Sequence, residues 1–461
     1  MSRAPSGSPS PRTPRPTRAT SCRERPRIPR ACETPRHWTP YRRRAPVLSR
    51  LRRIDKPLAG VTVALLVYGL AALYSAGQTD VPTIAATIWQ KQLVWIAVGL
   101  TALVLVSRVS PRLVEWATPY VYGGILLLLL VTLVVGTGAG TAAGSRSWLA
   151  IGGLRVGQPA ELAKLAVILM LARWLAARRE APVTLREVLP PGLIVGVPFA
   201  LVLLQPDLGS AVVFIAILFA MLFWAGTKPS LLVLVASPAI GLILAFSTVA
   251  WGIWIAVLCG LLVWWRPYVW EGLAVMAANV AMGIIALPFW KALAPYQQSR
   301  LLTFLNPEVD PRKTGWHIIQ SKVAIGSGGF LGKGFTHGPQ KRLAFLPAQH
   351  TDFIFPVVGE ELGFVGVLVA LALFAALILI LLRIARRAPD PYSSLCVFGV
   401  AGMLFTHIIE NVGMTVKLLP ITGIPLPFFS YGGSFLLACS LAVGIALRVA
   451  WESRRSGYSE S

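Results

Sequence analysis

Long apolar runs repeat along this chain from Pro57 almost to the C-terminus, and they restrict it to very few folds. About 20 mostly apolar residues in helical form cross the hydrocarbon core of a bilayer. The runs lack the polar residues at helical spacing that a water-soluble core helix would show. A bilayer admits only helices or closed barrels, and barrel strands would alternate. The sequence therefore predicts an all-α polytopic membrane protein.

The apolar runs divide into about twelve predicted membrane-spanning helices. Hydrophobic residues make up 55% of the 461 residues and charged residues only 13%. The stretch 229–289 is the hardest part to divide into separate spans. The predicted spans are 57–76, 89–107, 118–136, 160–177, 189–205, 209–226, 229–247, 250–266, 269–289, 354–383, 393–414 and 431–450.

The positive charge of the chain is concentrated at its N-terminus. The first 56 residues hold about sixteen Lys and Arg against three acids, within a net charge of +24, and they are rich in Pro and Ser. Such a segment cannot bury a core and is predicted to be disordered. We favour a solvated cytoplasmic arm near anionic lipid over nucleic-acid binding. It has no cleavage site after a short apolar core, which argues against a secretory signal; a transit peptide or an early start codon stays open.

Three regions follow from this division of the chain. Residues 1–56 form the Arg/Pro-rich tail, residues 57–451 the transmembrane domain, and residues 452–461 a cytoplasmic C-terminal tail. The five cysteines are odd in number and lack metal-ligand spacing, so the sequence predicts neither a disulfide framework nor a zinc site.

Lysine and arginine in the short loops set the predicted orientation, because cytoplasmic loops carry an excess of these residues. With the N-terminal tail inside, the C-terminus is also cytoplasmic. The loops on that side are 108–117, 178–188, 227–228, 267–268 and 384–392, with the end after 450. The large loop 290–353 then lies outside the cell. It is also basic, which favours an anionic ligand there, although long loops translocate regardless of their charge.

Ionisable residues gather at the predicted outer ends of the spans, where they are costly and usually functional. In QPAELAK, Glu161 and Lys164 are three residues apart at the start of the fourth span, so they share a helix face and can pair. Asp207, in QPDLG, stands between spans five and six. The simpler interpretations are a structural ion pair for the first two residues and a helix N-cap for Asp207.

The start of the tenth span and the end of the eleventh add further polar residues, and Asp352 could cap the tenth helix. These residues are His350, Asp352, Glu360, Glu361, Glu410, Asn411 and Lys417. ITGIPLPFFSYGGS then forms an outer loop or a half-buried re-entrant turn, whose freed backbone groups need partners in the protein or in a wet cavity. The pattern indicates an outward-facing polar cavity, which is either a catalytic site or the mouth of a transporter.

At these residues the sequence resembles the SEDS family, the shape, elongation, division and sporulation proteins. The resemblance is carried by GSRSWLAIGGLRVGQPAELAKLAVIL, QPDLGSA, YQQSRLLTFLNPEVDPRKTGWHIIQSKVAIGSGGFLGKGF, FLPAQHTDFIFPVVGEELGFVG and LLPITGIPLPFFSYGGSF. These motifs occur in order between about Leu58 and Val449. The resemblance is closer to the RodA branch than to the division branch, FtsW, which tends to have Leu where this chain has Lys322.

The chain departs from the family pattern in three places. Ala160 replaces the Ser of the family's QPSELAK, and the Arg-rich tail is outside the pattern. The family usually has ten spans, so the two near 250–266 and 269–289 form an extra hairpin. An even number of added spans leaves the loop 290–353 on the same side of the membrane.

The resemblance implies a peptidoglycan glycosyltransferase of the bacterial cytoplasmic membrane, which polymerises lipid II on the outer face during cell elongation and shape maintenance. It also implies a class B penicillin-binding protein and elongation-complex membrane proteins as partners. A divalent cation, Mg or Mn, is implied as well, although the sequence shows no clear ligand set. The family's essential acid falls in NPEVDP, which points to Asp310, and Glu161 and Lys164 match the family's paired residues.

The implied reaction joins an acceptor 4-hydroxyl to the anomeric carbon of a donor that leaves as a lipid diphosphate. The hydroxyl needs a base in the transition state, and the leaving group needs positive charge or a metal. One carboxylate with cations therefore suffices. We predict Asp310 as the base, with Pro307 and Pro311 stiffening its backbone. The predicted diphosphate or sugar contacts are Arg300, Lys322 and Lys333.

Other interpretations use the same residues. A transporter that flips lipid-linked precursors would also have a polar outer cavity, but it needs polar groups in the inner half, where the sequence has few. A non-catalytic scaffold of the elongation machinery would not require a carboxylate at position 310. Residues 326–334, GSGGFLGKG, lack P-loop spacing, so we favour a flexible loop there over a phosphate-binding one.

The orientation leads to a direct labelling prediction. A cysteine at position 337, introduced by His337→Cys, should react in intact cells with a membrane-impermeant maleimide, because the loop 290–353 is placed outside. A cysteine within 384–392 should react only after the membrane is permeabilised. Labelling of position 337 from the cytoplasm alone would reverse the topology.

Overall fold

The computed structural model describes residues 55–80, 84–138, 147–151, 154–178, 180–305, 314–346 and 348–456. Over these ranges the chain is helical, apart from one antiparallel two-stranded ribbon. The N-terminal tail predicted for 1–56 lies almost wholly outside the described residues. The predicted base Asp310, with the rest of NPEVDP, also lies outside them.

The elements are numbered here along the chain, with a short 3-10 helix, Ile84–Thr87, between the first two α-helices. They are α1 Lys56–Ala76, α2 Ile88–Val106, α3 Pro111–Val135, β1 Leu149–Ile151, β2 Leu154–Gly157, α4 Pro159–Ala176, α5 Leu185–Leu204, α6 Leu208–Trp224, α7 Pro229–Leu244, α8 Thr248–Trp265, α9 Val269–Ala292, α10 Pro295–Leu305, α11 Thr314–Ser327, α12 Pro339–Arg342, α13 Ile354–Arg386, α14 Pro391–Thr415 and α15 Gly433–Ser456.

Each of the twelve predicted spans falls on one of these helices. Within the described ranges, nine helices are long and apolar enough to cross a membrane, which confirms a polytopic helical fold. Helices α6 and α7 are apolar but shorter, with 17 and 16 residues. Helix α4 has 18 residues, and it carries Glu161, Lys164 and Arg173. The count of twelve membrane crossings therefore stays a prediction.

Helix ends differ from the predicted spans where polar residues continue a helix beyond its apolar part. Helix α3 begins at Pro111 rather than at 118, because Ser110 caps it and accepts from the amide of Leu113. A proline in the first turn costs no hydrogen bond, since its amide would be unpaired there anyway. Helix α15 continues to Ser456, so the first part of the predicted tail 452–461 is helical.

The large loop 290–353 is less open than its length suggests. Helix α9 extends to Ala292, and α10, α11 and α12 occupy much of the remainder. Apolar periodicity over a bilayer-length window missed these helices because they are short and mixed in character. They nevertheless pack: α11 lies against α13, α14 and α10.

Helices α4 and α14 form the centre of the fold. Helix α14 packs against α4 and α6, and α4 also contacts α3, α5, α6 and α15. Most residues of both helices are buried. A helix that is buried on all sides brings its polar residues into the protein interior, where each needs a partner.

The two ends of the bundle carry different polar contacts. At one end the Asp55 carboxylate, just before α1, receives Arg383 at 3.1 Å and also Arg454. The ends of α13 and α15 therefore meet the start of α1 there, which is the end assigned to the cytoplasm by the sequence. At the other end, the amide of Gln158 donates to Ser434 Oγ at 3.2 Å, which joins the starts of α4 and α15.

The predicted extra hairpin corresponds to α8 and α9, which pack on α7 around a small core of their own. Leu234, Leu258 and Val275 are its buried members. Buried Asn279 of α9 donates to Ser237 Oγ of α7 at 2.8 Å and accepts from Trp254 Nε1 of α8 at 3.0 Å. Such interhelical hydrogen bonds supply affinity where lipid tails remove the hydrophobic driving force.

A matched pair of glycines in α1 tests the packing of the bundle. A Cβ at Gly69 would lie 2.7 Å from the Cα of Phe429 and against the Phe428 carbonyl, whereas Gly60 has nothing within 4 Å. Overpacking against backbone costs roughly 1–3 kcal/mol, while Gly→Ala in an open helix stabilises by about 1 kcal/mol. We expect Gly69→Ala to lower the unfolding temperature in detergent and Gly60→Ala to hold or raise it. Equal temperatures would contradict this packing.

Candidate functional site

Glu161 and Lys164 form the predicted ion pair at the start of α4. Lys164 Nζ lies 2.8 Å from Glu161 Oε1 and 2.9 Å from Oε2, and the two side chains are 0% and 3% exposed. The sequence did not predict the third partner, His407 of α14, whose Nε2 lies 3.1 Å from Lys164 Nζ. An ammonium has three protons, so these three contacts use its whole donor capacity.

His407 connects this ion pair to the segment between α14 and α15. Because the ammonium only donates, His407 Nε2 accepts, and Nδ1 carries the proton that it donates to the carbonyl of Pro425 at 3.2 Å. The ring also stacks on Phe435, with centroids 4.5 Å apart. The buried pair is thereby fixed to the backbone of a loop that sequence analysis placed at the outer surface.

Residues 416–432, here called the re-entrant loop, expose carbonyls that side chains satisfy. Arg300 Nη1 donates to the Thr422 carbonyl at 3.2 Å, and Asn411 Nδ2 donates to the Ile424 carbonyl at 2.8 Å. The prediction that freed backbone groups would find partners inside the protein is confirmed for these carbonyls and for Pro425.

Asp207 caps α6, as the simpler interpretation of QPDLG had it. Its Oδ1 accepts from the amide of Ser210 at 3.1 Å. The second oxygen, Oδ2, accepts from Gln158 Nε2 at 2.7 Å, which ties the start of α6 to the turn before α4. Gly209 allows α6 to approach the re-entrant loop, since a Cβ there would lie 2.6 Å from the Thr422 carbonyl oxygen.

Asp352 does not cap α13, so the simpler interpretation of this residue is wrong. Phe353 occupies the N-cap position, so Asp352 lies one residue too early to reach the first free amides. Its carboxylate instead lies beside Arg300, and both groups stand about 3.5 Å from the Cβ position of Gly423. Burial raises the pKa of Asp352, and the positive charge of Arg300 opposes that rise.

Two histidines of the predicted outer loop have a lowered pKa. Burial lowers the pKa of His317, and the charge of Arg300 lowers it further. Burial also lowers the pKa of His350, whose carbonyl accepts from the amide of Tyr431 at 2.9 Å. The contact between His350 and the re-entrant loop is thus made by the backbone carbonyl of His350.

Helices α10 and α11, which precede and follow residues 306–313 in the chain, both contact this network. From α10, Tyr296 donates its hydroxyl to the Pro206 carbonyl, beside the Arg300 contacts already described. From α11, Ser321 Oγ donates to the Thr415 carbonyl at 2.7 Å. Ile318 of α11 packs in a buried cluster with Phe353, Met414 and Ile421. The segment with Asp310 and Lys313 joins these two helices and lies outside the described residues.

The glycine-rich segment 326–334 fills a break in α13, which revises the prediction of a flexible loop. Helix α13 is interrupted at Gly363, where φ is 62° and ψ is −158°. Four main-chain bonds replace the helical ones: Lys333 N to Glu360 O (3.0 Å), Gly334 N to Glu361 O (3.0 Å), Phe364 N to Gly329 O (2.9 Å) and Val365 N to Phe330 O (3.2 Å). A Cβ at Gly332 would overlap the Glu361 carbonyl, so glycine is required there.

Glu360 belongs to this second region. Its carboxylate accepts from the amides of Gln340 at 2.8 Å and Lys341 at 3.3 Å, at the start of α12. Lys341 is fully buried and forms an ion pair of 2.6 Å with Glu361, and both residues bond to Ser75 of α1. Glu360 and its neighbours thus hold the loop 290–353 onto α1 and α13.

The predicted site residues therefore fall into two groups. Around the re-entrant loop the structure collects Glu161, Lys164, Asp207, Arg300, His350, Asp352 and Lys417. Lys333 and Glu360 belong to the break in α13, and Lys322 lies on α11, which packs against α13. The side chains of Lys322 and Lys333 are exposed.

Sequence analysis missed His407, which is the residue that links the two halves of the first group. The available signal was an ionisable side chain inside an apolar span, which by itself marks a functional hypothesis. Among the residues that the structure covers, no three His, Cys, Asp or Glu side chains come together as a metal-ligand group.

Comparison with known proteins places these features in a family. The sequence matches the cell cycle protein family FtsW, RodA and SpoVE over residues 57–257 and 247–455. It is 36% identical to the peptidoglycan glycosyltransferase RodA of Treponema pallidum (strain Nichols), over 84% of this chain and 95% of that protein. It is 36% identical to the peptidoglycan glycosyltransferase MrdB of Escherichia coli (strain K12), over 86% and 93% of the two chains.

A solved structure has the same fold. A chain from a peptidoglycan synthase complex that coordinates polymerization and crosslinking superposes with a TM-score of 0.64 at 30% identity. The alignment covers 87% of this chain and 98% of that one.

The buried ion pair leads to a stability prediction. Lys164→Ala leaves the Glu161 carboxylate buried without its cation, which costs roughly 3–5 kcal/mol, whereas removing both charges costs far less. We expect the unfolding temperature of Lys164→Ala in detergent to fall well below that of the double variant Glu161→Gln with Lys164→Met. Tryptophan fluorescence during heating measures it, and equal temperatures would show that the two charges are not coupled.

Proposed function

This chain belongs to the FtsW, RodA and SpoVE family of cell cycle proteins, and from that membership we infer that it is a peptidoglycan glycosyltransferase of cell elongation. We propose further that it polymerises lipid II and that Asp310 is the general base. The site would face the outer side of the cytoplasmic membrane, because the Lys and Arg of the short loops put the loop 290–353 there.

One observation carries the proposal for the site. The helices that flank the Asp310 segment, α10 and α11, both contact the polar network around the re-entrant loop, through Arg300 and Ser321. The same network contains the buried pair of Glu161 and Lys164. The segment with the proposed base is therefore joined at both ends to the polar interior of the bundle.

The chemistry needs one base and positive charge. Asp310 takes the proton of the acceptor 4-hydroxyl as that oxygen attacks the anomeric carbon of the donor. The bond from that carbon to the lipid diphosphate breaks, and nearby cations stabilise the departing negative charge. Arg300 is the described cation nearest in sequence to Asp310, and Lys322 and Lys333 present exposed ammonium groups on the same loop. A single displacement inverts the anomeric carbon.

A divalent cation would add charge at the diphosphate. Within the described ranges no three His, Cys, Asp or Glu side chains form a ligand set, and Glu308 and Asp310 lie outside those ranges. If Asp310 also holds the cation, its two roles separate in a metal titration, because a ligand substitution raises the metal concentration needed for half-maximal rate.

The proposed partner is a class B penicillin-binding protein, which cross-links the strands made here. The support is the likeness to a chain of a complex that coordinates polymerization with crosslinking. Other membrane proteins of the elongation machinery follow from the family alone.

Substitution of Asp310 tests the proposal. Purified protein, together with its penicillin-binding partner, is given lipid II, and glycan strands are measured over time. We expect Asp310→Asn and Asp310→Ala to slow polymerisation about 10²- to 10⁴-fold, which is the usual contribution of a general base. The matched control is Asp80→Asn, which removes a carboxylate from the half-exposed pair with Arg342 and should keep the wild-type rate.

The outcomes separate the competing functions. Full polymerisation by both Asp310 variants removes this residue from the base role while leaving the enzyme intact. A wild-type protein that makes no strands under varied metal and partner conditions favours a transporter of lipid-linked precursors or a scaffold.

A further inference from the structure

Glu410 of α14 is a buried carboxylate with an unused oxygen. Its side chain is 6% exposed. Among the residues that the structure describes, none donates a hydrogen bond to its Oε2. A buried carboxylate oxygen without a donor is expensive, because the group has lost water and gained nothing in its place. A ligand that brings a hydrogen-bond donor would complete this oxygen and remove that cost.

Glu410 faces the polar network described above. It lies one helical turn after His407, on the same face of α14. Lys164 and Asp207 are near enough to act on it electrostatically. The Glu410 side chain therefore lies close to the cluster that joins α4, α6, α14 and the re-entrant loop.

The three ionisable side chains named beside Glu410 use their polar atoms in other hydrogen bonds. Lys164 gives its three protons to the two oxygens of Glu161 and to His407 Nε2. His407 gives its Nδ1 proton to the carbonyl of Pro425. Asp207 is itself an acceptor, from Ser210 and Gln158. A ligand that completes Glu410 Oε2 would therefore supply the hydrogen-bond donor itself.

The charges of the cluster define which ligand fits. Glu161, Asp207, Asp352 and Glu410 bring four carboxylates, whereas the cations are Lys164, which is paired with Glu161, and Arg300, which lies beside Asp352. A phosphate or diphosphate would meet repulsion here. A neutral group with hydroxyl or amide N–H donors matches the free acceptor, and a sugar ring has both kinds of donor.

We propose that Glu410 is a sugar-binding residue, which accepts a hydrogen bond from a hydroxyl or amide N–H of the glycan substrate. The inference rests on the proposed function and assigns the sugar, rather than the diphosphate, to this side of the site. It makes Glu410 a residue that lowers the stability of the empty protein and raises its affinity for substrate.

The test uses Glu410→Leu and Glu410→Gln in the full chain with its penicillin-binding partner. Leucine removes the acceptor, and a hydrogen bond to a charged group corresponds to a roughly 10- to 100-fold change in binding. We expect Glu410→Leu to raise the KM for lipid II by that factor with kcat little changed, which marks a lost binding contact. Glu410→Gln keeps an acceptor oxygen and should raise KM only a few-fold.

The unfolding temperature separates a binding role of Glu410 from a structural one, because the two roles predict changes of opposite sign. Glu410→Leu should unfold at a higher temperature than wild type, because it removes an unpaired buried carboxylate. The control is Glu271→Leu in α9. Glu271 is also buried, but its carboxylate accepts from the amide of Leu185 at 2.9 Å. This control should unfold at a lower temperature and leave KM unchanged.

Three results would overturn the inference while wild type still polymerises. The first is a wild-type KM for Glu410→Leu. The second is a lower unfolding temperature for Glu410→Leu, which would make the residue structural. The third is recovery of Glu410→Leu by added Mg or Mn, which would make it a cation ligand. If wild-type protein makes no glycan strands, the proposed function itself is contradicted. That result is seen before the variants are compared.

Discussion

The architecture of the site depends on a single buried ammonium group. The Lys164 side chain is fully buried, so each proton of its ammonium needs an acceptor within the protein. Each of these acceptors belongs to a helix. Two contacts stay within α4, and the third reaches His407 on α14. Through the other nitrogen of His407 the constraint passes to the backbone of the re-entrant loop. A shift of α14 by one residue would remove both the third acceptor of the ammonium and the donor to the Pro425 carbonyl.

In the described part of the chain, two stretches of irregular backbone are completed by hydrogen bonds from other groups. The re-entrant loop has its carbonyls filled by Arg300, Asn411 and His407. The break in α13 is filled by the main chain of 326–334. Both follow from the same rule, since hydrocarbon offers no hydrogen bonds and a bare peptide group there costs several kcal/mol. At both places hydrogen bonds from neighbouring elements replace those that a continuous helix would have made.

What the sequence predicted well was local. The apolar runs locate every long helix, and the spacing of Glu161 and Lys164 gives their ion pair, because three residues along a helix bring two side chains together. The partner His407 lies 243 residues from Lys164, and no local pattern records that contact. The same holds for the glycines of 326–334, whose need for glycine is set by the carbonyls of α13. Helix starts such as Pro111 were missed because polar first turns carry no apolar signal.

The distribution of charge around the site suits a substrate with two unlike halves. The loop 290–353 offers cations at Arg300, Lys322 and Lys333, while the interior beside Lys164 offers mainly acceptors. A diphosphate requires the former and a sugar the latter, so one ligand spanning both has only one favourable direction. If the loop and the interior carried the same sign, a lipid-linked sugar could bind reversed, with its leaving group away from the cations. Opposite local chemistry in the loop and in the interior would therefore favour one direction of a lipid-linked sugar before any catalytic group acts.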